Sequence, residues 1–331
     1  MKGKKLNVGI QILRMLFSFH ILVFHCINKK LYSNKIINFI IGNVEIDLTV
    51  FFIISFYYSN HTFISKNIVK IKQRFYRLLI PFIIWPLIFF ITHNLSCYLK
   101  GEKNYFKSYL LYYQFLVGNG INIVFWFQCH LIILSILFLI VIFASNRKSF
   151  IVLTIIGVSS YIFISSNYYK KHFSYDTILI YSVRKLPFSY IYSLYGYILF
   201  NLNGFLNFKK YKIKIFFLFL IVFCLYIYHR VFLELTAYFL MIKSVLGISL
   251  FIVFLNLPLH ETNNNLINHL ASYSGGIYYL HTRMQILLPL LLKRKKSKTI
   301  IACIINYLLC YLFCLIGSKL FKESNLRYLF V

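Results

Sequence analysis

Long uninterrupted apolar runs occupy most of this chain, at about 10–27, 47–64, 78–98, 121–144, 149–166, 186–201, 213–229, 238–256, 270–292 and 299–318. A helix needs roughly 20 apolar residues to cross the hydrocarbon of a bilayer, and a backbone there must satisfy its own hydrogen bonds. The runs lack the polar alternation of outer-membrane strands, which argues against a β-barrel. Nor do they show the one-sided stripes of soluble amphipathic helices. With 60% hydrophobic residues, 20% aromatic residues and a mean hydropathy of +0.73 over 331 residues, the expected class is an all-α polytopic membrane bundle of about ten transmembrane helices. The connections near 99–120 and 167–185 are too short to fold alone, so 1–331 reads as a single integral-membrane domain. No small-residue cleavage site follows the first run, which therefore reads as a retained helix and not a signal peptide.

The formal charge of +29 does not point to nucleic acid. Most basic residues sit in short connections between apolar runs, where they anchor helix ends and meet membrane lipids. The early basic stretches MKGKKLN and SKNIVKIKQRFYR fall on one side of the membrane, and taking that side as the inside makes both termini cytoplasmic. The basic run at 293–298 then lies outside, against the rule. Seven cysteines form no C-x-x-C pair and lie mostly within runs, so neither a zinc site nor a disulfide framework is expected.

The first run carries three ionisable groups in RMLFSFHILVFHC: Arg14, His20 and His25. Such groups are costly in hydrocarbon and mark functional sites. Eleven positions at about 100° each leave Arg14 and His25 about 20° apart around a helix and about 16 Å apart along it. Ser18 shares their face, and His20 lies roughly 120° away. Taken alone, Arg14 reads as a snorkelling side chain, and either histidine as an interhelical hydrogen bond. Those plainer readings leave unexplained why one polar stripe runs from the cytoplasmic end into the membrane.

Arg14 and His25 resemble the first helix of the acyltransferase-3 membrane proteins, where Arg or Lys is followed by ten residues and a His. Other stretches follow in the family's order. LTVFFIISFYY is similar to V-P-x-F-F-x-x-S-G-[FY] through Phe51, Phe52 and Ser55, with Thr49 in place of the usual proline and Phe56 in place of the usual glycine. That second departure implies altered helix packing. KQRFYRLLIPFIIW resembles R-x-x-R followed by I-P through Arg74, Arg77 and Pro81, and FWFQCHLIILSILF resembles W-F-x-x-x-L through Trp126 and Phe127. SYSGGIYYLHTRM looks like the late S-x-G-I-Y-L-x-H element, with His281. The resemblance covers essentially the whole chain. It implies ten spans, a bacterial inner (cytoplasmic) membrane location, acetyl-CoA as acyl donor without a metal, and O-acetylation of a surface glycan or its lipid-linked precursor.

The residues permit a physical account beside that resemblance. Arg74 and Arg77 are three apart, share one side of a helix near the inner surface, and have guanidinium forks that suit phosphate, although positive-inside anchoring explains them as well. With Arg14 they form the expected donor-binding set. His25 is the expected chemical group, either as general base for the acceptor hydroxyl or as a nucleophile that becomes acylated. Glu45 and Asp47, two of only seven acidic residues, fall at the outer level of the first hairpin, where they would orient His25, hold the acceptor, or simply be solvated. Ser55 would offer a hydroxyl or bond a neighbouring helix. His281, seven residues after Ser274, shares its helical face and would line the cavity or make a packing hydrogen bond. A transporter or flippase for lipid-linked glycans would show repeated halves, broken helices or midplane carboxylates, and a glycan polymerase a large outer loop. Neither pattern is evident, and the sequence leaves the oligomeric state open.

Overall fold

The computed structural model describes residues 7–26, 44–99, 101, 125–145, 148–165, 178–203, 208–232, 237–257, 265–291 and 300–331. Within them, helix covers each of the ten apolar runs. In chain order the helices are α1 (Val8–Cys26), α2 (Val44–Ile64), α3 (Ile68–Leu99), α4 (Phe125–Ser145), α5 (Ser149–Ser165), α6 (Ile178–Asn203), α7 (Lys212–Phe232), α8 (Ala237–Leu255), α9 (Asn265–Ser272), α10 (Ser274–Leu291) and α11 (Ile300–Leu320). Single 3-10 turns follow α6, at Phe208–Tyr211, and α11, at Asn325–Leu329. Among the described residues, four helices are long and apolar enough to cross a membrane: over Val8–His25, Ile68–Ile91, Phe125–Ser145 and Ile301–Leu320. The chain is an all-α polytopic membrane bundle. The basic run 293–298, on which orientation partly turns, lies outside the described residues.

Two helices depart from their apolar runs for local reasons. α3 begins ten residues before the run at 78, because Asn67 caps it: the Asn67 side chain accepts from Lys70 N (3.1 Å) and its carbonyl from Ile71 N (2.9 Å). Lys70, Lys72, Arg74 and Arg77 therefore ride on the first turns of a helix and not on a connection. The ninth run is divided at Tyr273, between α9 and α10, so Ser274 opens a new helix. Inside α3, Pro81 has no N–H for the carbonyl of Arg77, and the adjacent carbonyl of Leu78 accepts from Gln128 Nε2 of α4 (2.9 Å). Neighbouring helices commonly repair prolines in this way within membranes.

α1 lies at the centre, in contact with α2, α8, α9, α10 and α11. Asn7 fixes its start by capping Ile10 N (3.0 Å) and donating to the carbonyl of Leu255 at the end of α8 (2.8 Å). α2 packs most extensively on α6. Gly196 permits the approach, since a Cβ there would lie 2.4 Å from the carbonyl oxygen of Ile53. The close contact that a glycine at 56 would supply is thus made from the partner helix. Phe56 is buried instead against Phe138, ring centres 4.7 Å apart. The outward faces of α5 (Ile151, Ile155, Val158, Ile162) and α11 (Ile301, Ile305, Leu308, Leu312) expose apolar side chains at helical spacing. Continuous apolar faces of this kind are what lipid covers.

Candidate functional site

The α1–α10 seam brings the first and last sequence motifs together at two levels. At one level Arg14 Nη2 donates to Ser274 Oγ (3.0 Å) on the first turn of α10, while Nη1 donates to Gln11 Oε1 (3.2 Å). At the other, the rings of His25 and His281 lie 5.1 Å apart, tilted by 37°. Since His25 is eleven residues beyond Arg14 and His281 seven beyond Ser274, the two helices run in the same direction. Arg14 and His25 do lie along one side of α1, as their spacing requires. Between them Ser18 Oγ donates to the carbonyl of Met15 (2.8 Å) and lies 3.4 Å from Tyr307 Oη of α11.

The two imidazoles have different surroundings. His25 is exposed, with Phe24 edge-on at 5.1 Å. His281 is 0% exposed. Its Nδ1 lies 3.3 Å from the carbonyl of Ile277, to which only an N–H can donate, so the Nε2 of the neutral ring carries a lone pair. That Nε2 is buried without a hydrogen-bond partner. Buried polar atoms are nearly always satisfied, and an orphan of this kind calls for an explanation. An accessible imidazole thus stands against a buried one that retains a free lone pair. The pair can take a proton from a hydroxyl or attack a carbonyl carbon.

The remaining candidates divide between two other places. Arg74 turns inward among α2, α3 and α4: Nε and Nη2 donate to Ser135 Oγ (3.3 and 3.0 Å), Nη2 to Ser55 Oγ (3.2 Å) and Nη1 to Ser59 Oγ. The hydroxyls of Ser59 and Ser135 donate onward to carbonyls of their own helices, leaving lone pairs for the guanidinium. The rings of Phe56 and Phe63 lie 5.4 and 5.3 Å from its central carbon, a cation–π arrangement. Ser55 therefore belongs to the Arg74 cluster, away from the histidine pair. Arg77 points elsewhere; it is exposed and rests over the ring of Tyr328 (5.5 Å), within electrostatic range of Arg14.

Asp47 is 2% exposed and meets His20, not His25, with Nδ1 to Oδ2 at 2.5 Å. This contact ties α1 to α2 on the side of α1 away from Arg14. Glu45 lies on the first turn of α2, and its side chain is outside those described. Trp126 is 7% exposed, edge-on to His130 (5.1 Å) and beneath Lys185 (5.0 Å), so it lies inside the bundle and not at its rim. Gln11 is three residues before Arg14 on α1, so helical spacing alone makes it a neighbour; nothing in the local sequence around Ser274 or Tyr307 does so, and both arrive through tertiary contact. Among the described residues no group of three metal-ligating side chains occurs.

This is a polytopic helical membrane protein whose first helix carries a guanidinium and an imidazole along one seam. Residues 7–322 match the model of the acyltransferase-3 family, described as an acyltransferase domain, and the chain belongs to that family. Membership supports an acyltransferase-type role at the membrane. Comparisons with curated proteins and with solved structures give no match.

Proposed function

We propose that this protein is a membrane O-acyltransferase that moves acetyl from cytoplasmic acetyl-CoA to a hydroxyl of a cell-surface polysaccharide or its lipid-linked precursor, through a ten-span bundle of the bacterial inner membrane with both termini cytoplasmic. The observation that carries the reading is the His25–His281 contact, at the far end of the face that begins with Arg14. A sugar hydroxyl is a poor nucleophile at neutral pH. His25, accessible and backed by His281, would accept its proton as the hydroxyl oxygen bonds to the thioester carbonyl carbon. The C–S bond then breaks, and the thiolate leaves as thiol on receiving that proton. General-base help of this kind contributes about 10² to 10⁴ in rate. The alternative order, in which His25 is acylated first, uses the same two rings.

Arg14 lies about 16 Å along the helix from His25, a distance that the extended arm of a coenzyme A thioester spans. The exposed Arg77 suits the phosphates of the same donor, whereas Arg74 is already occupied by three serines and serves chiefly to join α2, α3 and α4. The test is to incubate membranes from parent and deletion strains with acetyl-CoA carrying a labelled acetyl group. Label entering glycan supports the reading. Unmodified lipid-linked glycan accumulating on one leaflet would instead support an exporter.

A further inference from the structure

Residues 325–331 follow α11 and lie beyond the span matched by the family, 7–322. They fold back onto α3. Trp85 Nε1 donates to the carbonyl of Leu329 (3.0 Å), and Phe330 is held between Trp85 (5.9 Å, edge-on) and Phe321 (5.9 Å, stacked). Gly317 and Gly276 make the room, since a Cβ at either would lie within 2.6 Å of Phe330. Ser324 caps the turn by accepting from Leu326 N (3.1 Å). The segment is thus fixed at both ends, and what it carries is placed rigidly.

What it carries is Arg327 and Tyr328. Arg327 lies over the Tyr328 ring (5.1 Å) and its Nη2 donates to the phenol oxygen (3.3 Å). Arg77 of α3 lies over the same ring, its central carbon 5.5 Å from the ring centre. Both guanidinium groups are exposed, the ring they share is 7% exposed, and neither has a carboxylate partner among the described residues. Two like charges held within about 11 Å of one another repel, and a bound dianion removes that repulsion. The local field is visible in the phenol itself: the Arg327 hydrogen bond, helped by the charges of Arg327 and Arg77, lowers the Tyr328 pKa despite burial.

We propose that Arg77, Arg327 and Tyr328 form a clamp for a phosphate ester, and that the ester is the nucleotide end of the acyl donor. Guanidinium forks bind phosphate oxygens in pairs, and a phenol beside them supplies a further donor. Arg327 is the second arginine of this clamp, the place that spacing alone would give to Arg74. The clamp rests on the acyl-transfer reading for the identity of its ligand, not for its existence.

The experiment separates these two points by measuring binding apart from turnover. Purified protein in neutral detergent is titrated with 3′,5′-adenosine bisphosphate, with and without phosphatidylglycerol. The parent is expected to bind the nucleotide in both conditions. Arg327→Gln should weaken binding about tenfold and Tyr328→Phe about threefold, with unfolding temperatures unchanged. If phosphatidylglycerol displaces the nucleotide completely, the clamp belongs to a lipid headgroup and the donor assignment is overturned. If Arg327→Gln and Arg77→Gln bind the nucleotide as the parent does, the clamp itself is overturned. In turnover, Arg327→Gln should raise KM for acetyl-CoA about tenfold with kcat nearly constant, and narrow the preference for acetyl-CoA over acetyl-pantetheine, which lacks the nucleotide. A parent that binds nucleotide but transfers no acetyl would defeat the proposed function while leaving the clamp standing.

Discussion

The Arg74 corner and the α1–α10 seam each place ionisable groups inside the bundle, yet they treat them in opposite ways. Arg74 has four of its N–H groups on serine oxygens and two aromatic rings beside it. His281 has one nitrogen tied to a carbonyl and the other left with nothing. A partly buried charge with four of its five N–H groups bonded is largely committed to structure, because most new ligands must displace a partner. A buried lone pair with no partner costs stability and calls for an explanation, of which a role in the reaction is one. On the proposed reading the first region is architecture and the second carries the chemistry, although both lie on residues of the family pattern.

That contrast can be broken by mutation. The largest effect is expected at His25: His25→Ala should slow acetyl transfer by about 10² to 10⁴-fold in reconstituted vesicles while insertion and unfolding temperature stay as in the parent. His281→Phe keeps a ring of similar size but removes the lone pair, and should lower kcat by about 10 to 10²-fold. Arg74 should behave differently. Arg74→Ala leaves a cavity among α2, α3 and α4 and should cost about 2–4 kcal/mol of stability. Arg74→Met fills that space without a charge and should stay within about 1 kcal/mol of the parent, with turnover changed less than threefold. Loss of turnover in a stable Arg74→Met protein would move Arg74 into the reacting site and erase the distinction. The smallest effect is expected at Asp47→Asn, which keeps a hydrogen bond to His20; the rate should change less than about threefold, because this side chain does not touch His25.

The sequence made the helices legible and left their partners hidden. Each apolar run holds a helix because hydrocarbon-compatible length is written locally, and the alignment of Arg14 with His25 follows from 3.6 residues per turn. The start of α3 was obscured because Lys70, Lys72, Arg74 and Arg77 interrupt the apolar run without interrupting the helix. Pairings across hundreds of residues are set by which faces meet. Hence Asp47 was expected near His25 from its level in the first hairpin, yet it contacts His20. Likewise Arg74 and Arg77, three residues apart, were expected to act together. Serines on α2 and α4 capture the first, while a phenol beyond α11 receives the second. No local pattern around Arg327 and Tyr328 marks them as neighbours of α3.

A double-mutant cycle on His25 and His281 tests the central claim, that the two rings act as one reacting unit. If they do, the His25→Ala, His281→Phe double variant will be no slower than His25→Ala alone, since the second change removes a group whose partner is already gone. Rate losses that multiply independently would show two unrelated roles, and the paired site described here would be contradicted.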